Sequence, residues 1–221
     1  MSPSEPPLRL IPRRGNTAPM DAREDMKRRL DPLIHERAPW LFSGRRHHDI
    51  ARRLLMWLLR YPQTVALGAE FRDLPTDEIM RRLAQLIIRD LTVEGLEHIP
   101  ATGPALIVSN HPTGIADGIV LNAVVSAVRD DIFIYANHDI MRVLPQFASL
   151  IAPVEWRVEK RSHAKTRATM DYTRAALDRG RIGLIFPSGR LAKRHGLRLH
   201  ERPWMASAAM IAKKFSVPVI P

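Results

Sequence analysis

Cysteine is absent from the 221-residue chain, which removes disulfides, thiolate metal sites and cysteine nucleophiles together. Any catalyst must use another group. Aromatic residues amount to only 6%, and no aromatic-rich RNA motif occurs, so a platform for stacking single-stranded bases has few residues to build it. Long apolar runs are missing too. A bilayer crossing takes about 20 mostly apolar residues, and neither residues 54–59 nor residues 119–128 come near that length. Pro and Arg interrupt the first 19 residues before any secretory leader can form. The expectation is a cytoplasmic protein, peripheral on the inner face of the membrane if it meets one.

Acidic residues are the scarcer charge. Lys and Arg number 34 against 23 Asp and Glu, a formal charge of +11, which favours phosphate-bearing partners. Residues 156–202 hold 13 Lys or Arg against four acids, or +9, which is most of the excess. With 45% hydrophobic residues the chain has the composition of a packed globular fold.

Residues 1–20 are rich in Pro, Arg and small polar residues without periodicity and read as a disordered tail. Residues 21–90 follow a helical rhythm: Ile50, Leu54, Trp57 and Leu58 share one face, and Ile79, Leu83, Leu86 and Ile87 share another. From residue 91 to 221, short β-branched runs alternate with helix-length segments, the pattern of an α/β domain. Strands are expected at 105–109, 131–136, 151–154, 182–186 and 217–220, with helices near 117–129, 139–149, 162–179 and 204–215. The fold class is therefore α/β, a mixed and largely parallel sheet flanked by helices and preceded by a helical region. The closing Val-Pro-Val-Ile-Pro is apolar enough to be buried. It reads either as a strand of a domain truncated there or as a short edge strand.

Two segments carry chemistry. Asn110-His111-Pro112-Thr113-Gly114-Ile115-Ala116-Asp117 follows the first apolar run, at a strand end where open α/β sheets place ligands. A histidine accepts a proton near neutral pH, and a carboxylate beside it holds the tautomer and stabilises the imidazolium. Six residues on one helix diverge by about 120°, but Pro112 and Gly114 favour a turn that returns Asp117 toward His111. Alternatively, His111 is a turn residue and Asp117 a helix N-cap. Phe186-Pro187-Ser188-Gly189-Arg190 follows another apolar run. There Ser188 and the Gly189 backbone offer hydrogen bonds and Arg190 a guanidinium fork suited to phosphate. The alternative is a turn within a solvated basic surface. The remaining histidines show no metal-ligand spacing, and no metal or cofactor is expected.

In this order, the two segments resemble the glycerolipid acyltransferase family that includes lysophosphatidic acid acyltransferases. That family carries an Asn-His opening a His-(four residues)-Asp block, a Phe-Pro-Glu-Gly-Thr-Arg block and a final Val-Pro-Val-Ile-Pro-like strand. Here these are matched by Asn110, His111 and Asp117, by Phe186 to Arg190 and by Val217 to Pro221, with Val93 to Pro100 as the lead-in. Five residues rather than four separate His111 from Asp117, as in the hemolysin-like branch; Ser188 stands for the usual Glu and the Thr is missing.

The resemblance implies direct O-acyl transfer from acyl-CoA or acyl-carrier protein, as co-substrate, to the hydroxyl of a lysophospholipid in phospholipid synthesis. His111 and Asp117 would be catalytic, and Asn110, Arg157, Ser188, Gly189 and Arg190 substrate-binding, with Arg161 competing for the place of Arg157. Backbone N–H groups near the His111 turn would hold the oxyanion. Glycerol 3-phosphate or a lyso-aminolipid are the alternative acceptors. A non-catalytic basic module for lipid headgroups or nucleic acid is the alternative to an enzyme; nucleic acid is the less favoured partner and an anionic membrane surface the more favoured. Residues 45–61, Leu/Met/Trp-rich among Arg and His, fit either a helix lying in an anionic interface or one packed on a neighbouring element.

Overall fold

A computed structural model describes residues 20–155, 157–196 and 198–221; the expected tail lies almost wholly outside them. The chain separates into two compact units, one ending at Asp73 and one starting at Leu74.

The first unit contains α1 (Met20–Arg37), a 3-10 turn (Pro39–Phe42), α2 (Arg46–Leu58) and α3 (Tyr61–Phe71). Its buried positions, Met26 and Leu33 on α1, Leu41, and Val65, Ala69 and Phe71 on α3, recur at helical spacing. Helix α2 has no buried residue.

The second unit opens with α4 (Thr76–Ile87), which the sequence groups with the helices before it. Its buried Ile79 and Met80 belong to a face that packs on α5 (Ile115–Ser126). The five-stranded sheet runs β3 (Ile151–Val154), β2 (Ile132–Asn137), β4 (Ile182–Ile185), β1 (Ala105–Val108), β7 (Val219–Ile220) in spatial order. Every pairing in it is parallel. The crossovers contain α5, the short α6 (Asp139–Val143), α7 (His163–Asp178) and α8 (Ser207–Phe215).

A parallel sheet is buried on both faces. Accordingly β1 and β4 are buried at every position. Leu106, Val108, Phe133, Tyr135 and Ile185 cluster with Ala176 and Leu177 of α7 and Ala208, Ile211 and Ala212 of α8. The alternate positions Ile107, Ile134, Ile182 and Leu184 are buried as well. Each such side chain contributes about 1.5–3 kcal/mol. Gly183 leaves room for the Phe133 ring in mid-sheet; a methyl there would sit 2.6 Å from it.

The expected helix over 139–149 is divided. Pro145 forces Leu144 to φ −128° and ψ 89°, so α6 stops and a 3-10 segment (Pro145–Ser149) follows. Strand β7 pairs at the sheet edge, where Pro218 supplies only its carbonyl, accepting from the Leu106 N–H at 2.9 Å. An antiparallel hairpin of β5 (Lys193–His195) and β6 (Arg198–His200) has no counterpart among the expected strands. All six of its strand residues are exposed.

The N-terminal ends of three strands are tied by one side chain. Arg129 donates to the carbonyls of Pro100 at 3.0 Å, Gly103 at 2.8 Å and Gly180 at 2.6 Å, and to both oxygens of Asp131. Its hydrogen bonds hold the Asp131 carboxyl below the usual carboxylate range, against the opposing effect of burial.

Candidate active site

At the C-terminal end of β1 the chain turns through residues 109–114 into α5. Gly114 is the N-cap of α5, at φ 84° and ψ −123°, a conformation that only glycine adopts readily. A methyl added there would meet Leu191 at 2.9 Å. Asp117 is therefore not the cap but the third helical residue, reaching back over the turn. Its Oδ2 accepts the N–H groups of Thr113 and Gly114, each at 2.9 Å, and its Oδ1 accepts the Thr113 hydroxyl.

The same Oδ2 lies 3.0 Å from His111 Nδ1, with the two side chains 13% and 21% exposed. Distance and angle disagree on this contact, since Nδ1 makes no well-angled hydrogen bond in the present ring orientation. Such bonds are often poorly aligned without substrate and tighten when it binds. Of the two uses that spacing leaves open, the N-cap falls to Gly114, while Asp117 accepts the Gly114 N–H from the third helical position and faces the imidazole. With Nδ1 turned to the carboxylate, Nε2 is the ring atom left to accept a proton. Phe186 stacks on the imidazole, with centroids 4.4 Å apart and planes 24° apart, which restricts ring rotation.

The second segment follows β4, the strand paired with β1, and touches the His111 turn, where Ala192 N–H donates to the His111 carbonyl at 3.1 Å. Ser188 and Gly189 hold this turn together. The buried Ser188 hydroxyl donates to the Arg190 carbonyl at 3.0 Å and Gly189 N–H to the Phe186 carbonyl at 2.9 Å, so neither expected donor is free. Arg190 is exposed, and its guanidinium has no partner among the described residues. Asn110 is exposed beside His111.

Arg157 is differently placed. It is bound through Nε, at 2.9 Å, and Nη2, at 3.3 Å, to Glu155 just beyond β3, and stands 3.9 Å from Asp139. Lys165 reaches the same Glu155 at 2.8 Å, and Arg161 donates to its carbonyl at 3.2 Å. The Arg157 hydrogen bond, with help from Lys165, holds the Glu155 carboxyl far below the usual range. Arg157 and Arg161 belong to this ion cluster, at the same sheet end as His111 but in a different crossover.

Glu201 escapes the sequence reading. Its Oε2 accepts the His111 N–H at 3.1 Å across 90 residues, and its Oε1 is buried without a partner. The available signal is that Glu201 is the single acid between Arg179 and Arg202. Three N–H groups of the turn where oxyanion donors are expected already have acceptors, that of His111 in Glu201 and those of Thr113 and Gly114 in Asp117. A concavity of about 980 Å³ lies elsewhere, in the first unit, lined by Arg52, Arg53, Met56, Trp57, Arg60 and Tyr61 among others. No residue of the two chemical segments lines it.

Residues 90–221 match the family described as Acyltransferase. A lyso-glycine lipid O-acyltransferase of Phocaeicola vulgatus is 21% identical over 165 residues, or 73% of this chain. The chain spans 57% of that relative's length. No solved structure matches the chain.

Proposed function

The chain belongs to the acyltransferase family, and from that premise we propose that it moves a fatty acyl group from a thioester donor, acyl-CoA or acyl-carrier protein, to the hydroxyl of a lysolipid. The observation that carries this reading is the 3.0 Å approach of His111 Nδ1 to an Asp117 carboxylate that the turn already fixes by two backbone bonds. His111 Nε2 takes the proton of the acceptor hydroxyl as its oxygen forms a bond to the thioester carbonyl carbon. The tetrahedral adduct then collapses, the carbon–sulfur bond breaks, and the departing thiolate recovers the proton from the imidazolium. Asp117 stays ionised throughout and stabilises the imidazolium. No acyl-enzyme forms, because the thioester is already activated.

Arg190 is the acceptor-facing cation, since it is exposed, unpaired and on the loop that contacts the His111 turn. A phosphate is an anion its fork fits in bidentate fashion, and with the chain's net charge of +11 this supports a lysophospholipid acceptor and a role in phospholipid synthesis. A lyso-aminolipid is the second reading, favoured by the activity for which the Phocaeicola relative is named. Both acceptors carry long chains, which supports the reading of a protein peripheral on the inner face of a membrane; no helix among the described residues is long and apolar enough to cross one.

The test is transfer from a labelled acyl thioester to a panel of lysophospholipid, lyso-aminolipid and glycerol 3-phosphate acceptors. Product on one lysolipid, lost in His111→Ala, is the expected result. Normal product from His111→Ala removes the mechanism, and product on glycerol 3-phosphate alone removes the lysolipid.

A further inference from the structure

We propose that the corner between α2 and α3 is a docking site for the anionic headgroups of a lipid bilayer, which deepens the peripheral placement proposed above. Ile50, Leu54 and Trp57 project from α2 within about 60° of one another and are 66%, 61% and 73% exposed. A lone exposed apolar residue is ordinary, but a stripe on a helix with no buried residue leaves apolar surface in water. Arg53 flanks the stripe about 40° from Trp57.

The stripe runs into the concavity lined by Arg52, Arg53, Met56, Trp57, Arg60 and Tyr61. Arg52 is paired with Asp49 at 3.3 Å. Arg53 and Arg60 have no partner among the described residues. Arg60 is also held at φ 51°, a left-handed conformation that costs energy outside glycine and concentrates at functional positions. Residues 45–61 carry five Arg against Asp49 alone, a net +4. Free phosphate would make use of the arginines and leave the stripe in water. A bilayer surface takes both, with the indole and aliphatic groups among the acyl chains and the guanidinium groups at the phosphates.

The experiment is co-sedimentation of the full chain with phosphatidylglycerol vesicles and with phosphatidylcholine vesicles. We expect preferential binding to the former that weakens as salt is raised. Arg53→Gln with Arg60→Gln should lower it roughly tenfold or more, at about 1 kcal/mol per surface arginine, as should Leu54→Ala with Trp57→Ala. Melting temperature and turnover on a short-chain, water-soluble acceptor should stay unchanged, which separates loss of docking from loss of chemistry. Equal binding by the variants, no preference for phosphatidylglycerol, or displacement by millimolar inorganic phosphate overturns the assignment. Vesicle binding that behaves as described in a protein without transfer activity supports the docking site and sinks only the catalytic reading.

A second observation stands apart from the first. We infer that Glu201 is a positioning residue for His111, resting on the catalytic reading above. The peptide of His111 is held on both sides by the segment after β4, its N–H by Glu201 and its carbonyl by Ala192. Truncating Glu201 unpairs that N–H and frees the turn that aims the imidazole at Asp117; glutamine keeps an oxygen acceptor in place. Glu201→Ala should lower kcat about tenfold, the loss of roughly one hydrogen bond, with KM unchanged, and shift the imidazole ¹⁵N resonances of His111. Glu201→Gln should restore both, and Glu201→Asp, which shortens the reach, should follow alanine. Wild-type kcat and unmoved resonances in the alanine and aspartate variants overturn the role. The resonances report on positioning even where His111→Ala proves active, so the two failures are distinguishable.

Discussion

Arg129 and Arg190, at opposite ends of the parallel sheet, are held in opposite ways. At the N-terminal ends of the strands Arg129 is 5% exposed, with donors spent on three carbonyls and a carboxylate. At the C-terminal ends Arg190 lies open to solvent with no partner among the described residues, on the loop that contacts the His111 turn. A satisfied guanidinium buried among strand starts joins the layers; an unsatisfied one at strand ends is available to a ligand. The proposed chemistry thus sits at the rim opposite the Arg129 ties.

Substitutions at the two rims should separate cleanly. The largest effect belongs to His111→Ala, expected to cut turnover by about 10²–10⁴-fold while the melting temperature barely moves, which calorimetry beside a transfer assay checks. Arg129→Met should do the reverse, costing about 2–4 kcal/mol because its removal takes a donor from three carbonyls and the ion partner from a half-exposed Asp131; urea unfolding measures it, and turnover per folded molecule should survive. Arg190→Ala should raise the acceptor KM about 10- to 100-fold, the worth of a hydrogen bond to a charged group, with stability unchanged. A melting shift as large as that of Arg129→Met would erase the contrast.

Glu155 tests whether the site end also holds structural charge. Its carboxyl is depressed in the folded protein, chiefly by Arg157. The contribution is thus complete above the ordinary carboxylate pKa of about 4.3 and fades as pH falls below it. Melting of Glu155→Gln against wild type should differ most at neutral pH and converge in acid. A pH-independent gap would assign the loss to packing instead.

The buried strands are legible because apolar runs such as Ala105-Leu106-Ile107-Val108 admit little else when both faces are covered. The β5–β6 hairpin is not: Lys193, Arg194, His195, Arg198, Leu199 and His200 show no inward face, and backbone bonds with an edge-on contact of the His195 and His200 rings pair them. The His111–Asp117 contact was readable as a possibility, since Gly114 permits the turn that overrides helical divergence. Glu201 reaches His111 through the chain's return after β4, a closure that no local pattern encodes. Likewise the free-donor role of Ser188 fails for a local reason, its hydroxyl being spent on the Arg190 carbonyl of its own turn.

Gly114 carries one more consequence. Its dihedrals, φ 84° and ψ −123°, mirror an extended conformation of ordinary residues, and the hydrogen that an L side chain would replace faces Leu191. A D-alanine introduced by chemical synthesis satisfies the same angles and places its methyl on the other side of the α-carbon. Handedness, more than bulk, sets the limit on what this turn accepts.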